Sequence, residues 1–576
     1  MTRADAVAAS LVGVAATAIC FQALDWGFAA EVAVVGGDRM LRGELPYRDF
    51  WTIYAPGSPA LVAALFRAFG RELAVVHAAS AGLAAAASVA WFALMRRAAL
   101  PRAAAAAAAI VFAAAVWTPS PDLHTYVVPR LLLIVAFERV LAAVAAQRTA
   151  PLAAAGLALG IAALFKHDVA GYAAVACGLA LVLARAALGV RIELVRGVAL
   201  LGGCALAVVG PAAIAVGAIG GADAWNDLIA FPLGDFRVVR GERYPALLPD
   251  ASALRAFAGD PGNPRRAARA LQALGETGGA HAPELALAAV AVALGALVLR
   301  ARARAAREAL AGERDGRAAL AALALCACGL PFFWSAAHVQ QNTHIFSMAM
   351  LAGLGLAGLW RVAPALASAP RARLAARTVV GALAAAQATA SLLPSAFDLG
   401  RMLAERPTSR ALGVPGTGSA RVSAADFAAL RPVVDFVRAN VAPDEPVYVG
   451  LARHDAIVIG KPSLYFLVDR PVATRYHELH PGVSDRADVQ REMISDLERE
   501  GVRCVVRWNF GWPDARLDAI LAARRRALPA LGAGLLDAYL DTHFERVARH
   551  GELDVLWRTG AARPWEAAAG AGASAD

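Results

Sequence analysis

The sequence predicts a polytopic α-helical membrane protein with about eleven transmembrane helices, followed by a C-terminal extracytoplasmic α/β domain. The mean hydropathy is +0.52, and hydrophobic residues make up 59% of the chain. Only 18% of the residues are charged, against about a quarter in typical soluble proteins. The long apolar runs lie before residue 400, and the remainder has an ordinary soluble composition. We therefore expect a membrane domain over 1–396 and a separate domain over 397–576.

A helix that crosses a bilayer needs about 20 apolar residues, with a range of about 17 to 25. The candidate spans are 5–23, 73–94, 103–117, 127–146, 151–165, 170–187, 195–219, 283–299, 318–335, 343–361 and 378–396. The spans 103–117 and 151–165 fall below that range. No Ala-x-Ala cleavage motif follows the first span, which favours a retained helix over a signal peptide.

The arginines between the spans predict the orientation. With the N-terminus inside, arginine clusters such as Arg96, Arg97 and Arg102 lie in inside loops, whereas the short outside connections carry only Lys166. This asymmetry follows the positive-inside rule and places the loops 24–72 and 220–282 and the tail outside the cytoplasm of a bacterial inner membrane. Because the basic residues form short clusters between apolar runs, the net charge of +10 does not indicate nucleic-acid binding.

The tail alternates helical and extended patterns, which predicts a partly parallel sheet covered by helices. An amphipathic helix capped by Ser423 comes first, and a second helix covers ADVQREMISDLEREG. The predicted strands include PVYVG, RPVATRY, VRCVVRW and DVLWRTG. The polar residues His454, Asp455, His477 and His480 have the wrong spacing for a closed zinc site, and we expect them on the surface.

The first outer loop contains the densest set of chemically active side chains. Asp25 follows the first span, a helix-like stretch covers 26–42, and the turn Tyr47-Arg48-Asp49-Phe50 precedes a second amphipathic helix that ends at Gly70. We expect such a loop to lie along the membrane surface. Glu31 is a further acid of this loop, for which a solvated helix face is the simpler interpretation.

Polar groups at the outer ends of other spans are further candidates. They are Asp122 and His124 in a proline-rich turn, Lys166, His167 and Asp168 between two spans, Arg237, Arg240 and Arg243 in the large outer loop, and His344 at the start of the tenth span. Ionisable groups at membrane depth are usually functional, whereas the same groups in an outer turn or at the interface are often only anchors. Both interpretations stay open for each of these residues.

The first-loop pattern resembles that of bacterial GT-C superfamily glycosyltransferases, including relatives of protein O-mannosyltransferases and aminoarabinose transferases. The residues concerned are Asp25-x-Gly27, Met40 to Phe50, Tyr54-Ala55-Pro56-Gly57 and Phe66 to Gly70. The glycine-rich span that ends in Lys166 and the position of His344 are similar to the family as well. Many relatives have an Asp-Glu pair where this chain has Asp25-Trp26, so Glu31 and Asp49 become additional candidates.

The resemblance implies transfer of a sugar from a polyprenyl-phosphate donor to a lipid, glycan or protein acceptor of the cell envelope, at the outer membrane surface. It implies that Asp25 is the catalytic base. Such a reaction needs a carboxylate to deprotonate the acceptor, for which Asp49 is the second candidate, and basic groups to stabilise the leaving phosphate. Arg48, Lys166, Arg237, Arg240 and Arg243 are the candidate phosphate ligands, with Tyr47, His167 and His344 as further substrate contacts. Some relatives bind a divalent metal, for which Asp122 is a candidate ligand.

Two other functions remain open at this stage. A secondary transporter or lipid-linked sugar flippase would predict inverted repeats and polar residues deep within the spans, and we find neither in the sequence. A non-catalytic envelope assembly protein would use the tail to bind a partner. The sequence has no phosphate-binding lysine loop, so it gives no support for ATP-driven transport.

Overall fold

A computed structural model describes residues 2–21, 25–27, 31–116, 127–240, 248–260, 264–299, 303–337, 341–455, 459–510, 514–526 and 528–566. The described chain is mostly helical and forms two compact units. Unit 1 contains Met1–Leu24, Ala78–Ala213 and Glu242–Ala404. Unit 2 contains Asp25–His77, Ile214–Gly241 and Glu405–Asp576. Unit 2 therefore groups most of the first outer loop and part of the second with the tail, whereas the sequence analysis divided the chain once, at residue 396.

The helices that precede the tail are α1 (Arg3–Cys20), α2 (Glu31–Leu41), α3 (Gly57–Phe69), α4 (Leu73–Arg97), α5 (Arg102–Val116), α6 (Val128–Ala146), α7 (Pro151–Ala163), α8 (His167–Ala186), α9 (Leu194–Trp225), α10 (Phe231–Leu233), α11 (Asp235–Arg240), α12 (Ala251–Gly259), α13 (Pro264–Leu299), α14 (Arg304–Gly312), α15 (Arg314–Ala337), α16 (Gln341–Ala365) and α17 (Pro370–Glu405). Each of the eleven predicted spans falls on one of these helices. A π-helical turn, Asn226–Ala230, joins α9 to α10.

Among the described residues, eight helical stretches are long and apolar enough to cross a membrane. They are Arg3–Cys20, Leu73–Arg97, His167–Ala186, Leu194–Leu233, His281–Leu299, Arg314–Ser335, Ser347–Ala365 and Pro370–Thr408. The predicted spans on α5 and α7 are shorter helices, and α6 carries Arg130, Glu138 and Arg139 within 19 residues. The chain is thus a multi-pass membrane protein.

The core of unit 1 is built from apolar helix faces that contact one another. Leu323 and Phe333 of α15, Leu351 of α16 and Phe137 of α6 are among its fully buried members. The abundant alanines of α7 and α8 allow the helices to approach closely, because small side chains keep neighbouring backbones near each other.

The tail contributes the helices α18 (Ala424–Asn440), α19 (Ser463–Val468), α20 (Ala487–Arg499), α21 (Asp514–Arg525) and α22 (Leu535–His543) to unit 2. Its strands are β1 (Arg410–Ala411), β2 (Arg421–Val422), β3 (Tyr448–Leu451), β4 (Cys504–Trp508), β5 (Phe544–His550) and β6 (Leu553–Arg558). A four-stranded sheet has the order β3-β4-β6-β5, in which β3 and β4 are parallel and the other pairs are antiparallel.

Several tail elements lie where the sequence analysis placed them. The Ser423 hydroxyl accepts a hydrogen bond from the Asp426 amide and caps α18, and α20 covers the second predicted helix. The strand prediction for RPVATRY was wrong, because this segment forms only an isolated bridge between Val472 and Val447. Its side chains instead contact the first outer loop, as described below.

Candidate active-site cavity

Unit 2 contains a cavity of ≈470 Å³ that is built from three distant parts of the chain. Trp51 comes from the segment between α2 and α3, Asp227 from the π-helical turn after α9, and Arg475 and Tyr476 from the tail. The start of α20 and the residues just before it form another wall of the cavity. The volume lies within the range of about 300–1,000 Å³ that is usual for small-molecule sites.

The local fold after α9 brings two acids to this cavity. α9 is kinked at Gly221, whose φ of +53° lies in the left-handed region that favours glycine. Asp223 and Asp227 follow within two turns and line the cavity. Such π-helical turns are rare and occur frequently at functional sites.

Asp227 is the most unusual side chain of the cavity. It is only 3% exposed, and its Oδ1 accepts a hydrogen bond of 3.2 Å from the Asn226 side chain. Its Oδ2 makes no hydrogen bond of normal geometry to a described residue, although the Trp51 side chain lies beside the carboxylate. Since a buried polar atom without a well-formed hydrogen bond is costly, this oxygen is available to a hydroxyl, an amine or a water molecule in the cavity.

Arg475 connects the cavity to the first outer loop. Its Nη1 lies 3.2 Å from the Asp223 carboxylate, and its Nη2 donates to the Tyr47 carbonyl at 3.1 Å. In return, the Trp51 amide donates to the Arg475 carbonyl at 2.9 Å. The adjacent Tyr476 donates its hydroxyl to Glu492 at 2.8 Å, and burial raises the pKa of that hydroxyl far above its ordinary value.

The cavity is acidic. Among the described residues, its lining carries five carboxylates and two guanidinium groups, which gives these residues a net charge of −3 when all are ionised: Asp223, Asp227, Asp235, Asp488, Glu492, Arg475 and Arg486. A phosphate group would meet repulsion here. Neutral or cationic polar groups, by contrast, find many acceptors, and the rings of Trp51, Phe231 and Tyr476 offer flat apolar faces.

The histidines of the tail correct our prediction of surface positions. His454, His477 and His480 are 0%, 2% and 1% exposed. The His480 ring lies 5.6 Å from the Trp51 ring, and the His477 ring lies 5.3 Å from the Phe50 ring. A neutral imidazole packs like an aromatic ring, and burial accordingly lowers the pKa of His477.

Glu478 lies between these two histidines and is fully buried. Its carboxyl group is beside the Thr52 side chain, yet neither oxygen makes a hydrogen bond of normal geometry to a described residue. Burial raises the pKa of Glu478 to about 8, and the nearby Asp227 carboxylate acts in the same direction. Glu478 is therefore largely protonated at neutral pH.

The structure places Asp25, the first predicted base, in an ion pair. Both of its carboxylate oxygens accept a hydrogen bond from Arg406, and its backbone carbonyl accepts one from the Arg421 amide. Asp25 does not line the cavity around Asp227. Glu31, the further acid of the first outer loop, is the first residue of α2, and its carboxylate lies 3.5 Å from the Ser463 amide.

The turn that contains Tyr47, Arg48 and Asp49 is held in place by side-chain hydrogen bonds. The Asp49 carboxylate accepts hydrogen bonds from the Arg48 side chain and from the Leu45 amide at 2.8 Å. The Arg48 guanidinium lowers the pKa of Asp49. Tyr47 is buried, has a φ of +67°, and donates its hydroxyl to the Tyr54 carbonyl at 2.7 Å. These contacts favour a structural role for the turn, which positions Trp51 at the cavity.

In unit 1, Lys166 immediately precedes α8 and is 7% exposed. Its Nζ lies 3.5 Å from the Asp168 carboxylate, and His167 is the first residue of the helix. A buried lysine beside one carboxylate is compatible with either a structural pair or an anion site.

The other predicted contacts are only partly described. Arg237 and Arg240 lie on α11 and His344 lies near the start of α16, but the description of the structure does not extend to their side chains. Arg243, Asp122 and His124 lie outside the described residues.

The divalent metal that the resemblance implied stays a prediction, because its candidate ligand Asp122 lies outside the described residues. Among them, no three His, Cys, Asp or Glu side chains lie close enough together to share a metal ion. Both oxygens of Asp25, the acid of the first outer loop predicted as the base, accept hydrogen bonds from Arg406. We derive no step through a metal.

Sequence reasoning missed Asp227, Arg475, Tyr476 and Glu478. Asp227 follows the apolar span 195–219 closely enough to belong to the same helical stretch, and an acid at such a helix end is a usable signal. The segment Arg475 to His480 packs four polar side chains and one aromatic side chain into six positions. That density within a soluble tail was the second available signal.

No family model matches the chain, and no curated protein matches it. Solved structures do resemble it. A crystal structure of the Archaeoglobus fulgidus oligosaccharyltransferase tethered with an acceptor peptide has a TM-score of 0.45 and 12% identity over 91% of this chain and 72% of that chain. The oligosaccharyltransferase AglB of the same organism, in complex with an inhibitory peptide and a dolichol-phosphate, has a TM-score of 0.41 and 12% identity over 88% and 69%.

ArnT from Cupriavidus metallidurans in the apo state has a TM-score of 0.41 and 15% identity over 95% of this chain and 97% of that chain. At these identities and TM-scores, the likeness gives no information about donor, acceptor or mechanism. AglB and ArnT are GT-C membrane glycosyltransferases, the superfamily that the first-loop motifs resemble, but with every TM-score below 0.5 this likeness does not assign the chain to that superfamily.

Proposed function

We propose that this protein is a membrane glycosyltransferase that moves a sugar from a polyprenyl-phosphate-linked donor to a lipid, glycan or protein acceptor of the cell envelope. The observation that carries the proposal is the cavity around Asp227: a buried carboxylate, one oxygen of which makes no hydrogen bond of normal geometry to a described residue, beside aromatic rings and arginines in a multi-pass membrane protein. Sugar hydroxyls donate hydrogen bonds to carboxylates, and the C–H faces of a sugar ring pack on aromatic side chains.

In this proposal, a carboxylate removes the proton of the acceptor hydroxyl or amine as its oxygen or nitrogen attacks the anomeric carbon and the polyprenyl phosphate leaves. Asp227 and Asp25 are the two proposed bases. Asp227 is the better placed, because its Oδ2 makes no hydrogen bond of normal geometry to a described residue whereas both oxygens of Asp25 bind Arg406. A direct displacement of this kind inverts the configuration at the sugar.

The phosphate of the donor needs positive charge, which the acidic cavity does not supply. We therefore propose that other basic groups bind the phosphate, for which Lys166, Arg237, Arg240 and Arg243 remain the candidates. Arg48 is a weaker candidate, since its guanidinium already binds Asp49. We further propose that the reaction takes place on the outer face of the inner membrane, where the positive-inside rule places the tail.

Mass spectrometry of envelope lipids and glycans in a deletion strain tests this function. We expect one sugar-bearing species to disappear, to return with the wild-type gene, and to stay absent with Asp227→Asn. An unchanged glycoconjugate profile, with a lipid-linked sugar accumulating on the inner face, would favour the flippase function. If Asp227→Asn rescued the deletion strain fully and Asp25→Asn did not, Asp25 would be identified as the catalytic base instead of Asp227.

A further inference from the structure

A second cavity, of ≈530 Å³, lies in unit 1, where the start of α1, the end of α4 and the middle of α6 meet. One part of its lining is apolar and consists of Ala90, Phe92, Ala93, Ile134 and Val135. The other part is charged and consists of Asp5, Arg96, Arg97, Glu138 and Arg139. Apolar and charged walls in one cavity are complementary to an amphiphilic ligand.

Each carboxylate in the charged part binds two arginines. Asp5 Oδ1 lies 3.1 Å from Arg96 Nε and 3.0 Å from Arg102 Nε. Glu138 Oε1 lies 3.0 Å from Arg97 Nε, while its Oε2 accepts from Arg139. Among the described residues, the lining itself has three guanidinium groups and two carboxylates, and Arg102, which binds Asp5 from outside the lining, brings the surplus of the cluster to two positive charges.

In this cluster the arginine side chains are more exposed than the two carboxylates that they bind. The Asp5 and Glu138 side chains are 8% and 9% exposed, whereas the four arginine side chains are 30% to 45% exposed. A guanidinium has five N–H donors, and one carboxylate satisfies only some of them. Arg96 Nη1 also donates to the Leu100 carbonyl, and Arg102 Nη2 lies 3.5 Å from Thr2 Oγ1. The donors that these contacts leave over are available to an anion that approaches from solvent or from the membrane surface.

We propose that this cavity binds the headgroup of an anionic phospholipid, with an acyl chain along the apolar wall. The positive-inside rule places the start of α1 and the end of α4 at the cytoplasmic surface, the side opposite to the proposed reaction. Basic pockets between transmembrane helices on that side are suited to anionic headgroups. The inference is independent of the proposed glycosyl transfer, because none of its residues belongs to the cavity around Asp227.

The test compares lipid binding to the purified full chain by native mass spectrometry. Phosphatidylglycerol and phosphatidylcholine with identical acyl chains are titrated against the wild type and against Arg102→Gln/Arg139→Gln. This double variant removes the surplus charge but leaves Asp5 with Arg96 and Glu138 with Arg97, so each acid keeps one partner. The matched control is Arg371→Gln/Arg373→Gln, which removes two exposed arginines of α17 that do not line the cavity.

We expect the wild type to prefer phosphatidylglycerol, and the double variant to bind it more weakly by about fivefold for each arginine removed. The control should bind phosphatidylglycerol like the wild type. Equal binding of the two lipids, an unchanged double variant, or displacement of phosphatidylglycerol by excess inorganic phosphate would each overturn the proposal. Should the double variant not fold, the wild-type comparison of the two lipids decides by itself.

Discussion

Arg406 holds Asp25 by both of its carboxylate oxygens: Nη2 lies 3.0 Å from Oδ1 and 3.0 Å from Oδ2. The pair joins the start of the first outer loop to the start of the tail, and the Gly27 and Arg421 backbones hydrogen-bond beside it. Any substrate proton that approaches Asp25 must share these two oxygens with the Arg406 guanidinium. The ion pair therefore favours a positioning role for Asp25, although the first-loop motifs imply that it is the catalytic base.

A double-mutant cycle on this pair separates the two roles. We expect Asp25→Asn and Arg406→Gln to reduce transfer activity to similar extents, and the double variant to be no worse than either, because the two side chains act as one unit. The coupling in thermal unfolding should be on the order of 1 kcal/mol or less, since both side chains are partly exposed. Loss of activity in Asp25→Asn alone, with Arg406→Gln active, would instead identify Asp25 as the base.

Asp227→Asn should lower the rate constant for transfer by about 10²- to 10⁴-fold, the usual contribution of a general base. The amide has almost the same shape, so the cavity should remain folded. The measurement is single-turnover transfer of a radiolabelled sugar from the lipid-linked donor in proteoliposomes.

Asp235→Asn is the matched control, because Asp235 lines the same cavity but is 47% exposed and lies 3.6 Å from Arg486. We expect its rate to stay within about threefold of the wild type. Equal rates for Asp227→Asn and the wild type would remove Asp227 from the chemistry.

Glu478 should make unit 2 less stable as the pH rises. The unfolded chain loses this proton near pH 4.5, whereas burial holds it in the folded protein up to about pH 8. Between these values the folded state binds more protons than the unfolded state, so the free energy of unfolding falls by roughly 1.4 kcal/mol per pH unit. Below pH 4.5 Glu478 is protonated in both the folded and the unfolded state, so it no longer lowers the free energy of unfolding.

Thermal unfolding of the detergent-solubilised protein from pH 5 to pH 8.5 measures this effect. Glu478→Gln should flatten the pH dependence and should raise the midpoint most at the alkaline end. Glu500→Gln, on the exposed end of α20, serves as the control for the substitution itself. Parallel pH profiles for Glu478→Gln and the wild type would contradict the assignment.

The close contact between α2 and α3 gives a packing prediction. A methyl group on Gly37 would lie 2.7 Å from Val62 Cγ1, and Val62 is fully buried. Gly37→Ala should therefore destabilise the protein by about 1–3 kcal/mol through overpacking. Adding Val62→Ala should recover part of that loss, because it removes the clashing methyl groups.

The unfolding midpoints of Gly37→Ala, Val62→Ala and the double variant test this contact. Gly82→Ala on α4 is the control, since a methyl group there meets nothing within 4 Å. It should be neutral or slightly stabilising, as alanine is the better helix former. Strictly additive losses for the two single substitutions would show that the helices do not meet at this point.

The sequence by itself determined the long apolar helices and three of the six described strands. Each apolar run became a helix, because a run of that length satisfies its own backbone hydrogen bonds in any apolar surrounding. Ser423 capped α18 for an equally local reason, since a hydroxyl before a helix reaches the free amides of its first turn. The strand Cys504–Trp508 followed from a short apolar run between polar turns.

The tertiary structure alone decided which side chains meet. Arg475 and Asp223 are 252 positions apart, yet they share an ion pair at the edge of one cavity. The same packing buried His477 and His480, which the sequence analysis had placed on the surface, and Glu478, which it had missed. Periodicity records only which face of a single element is apolar. Burial of a polar segment depends on contacts from remote parts of the chain, and no local pattern encodes them.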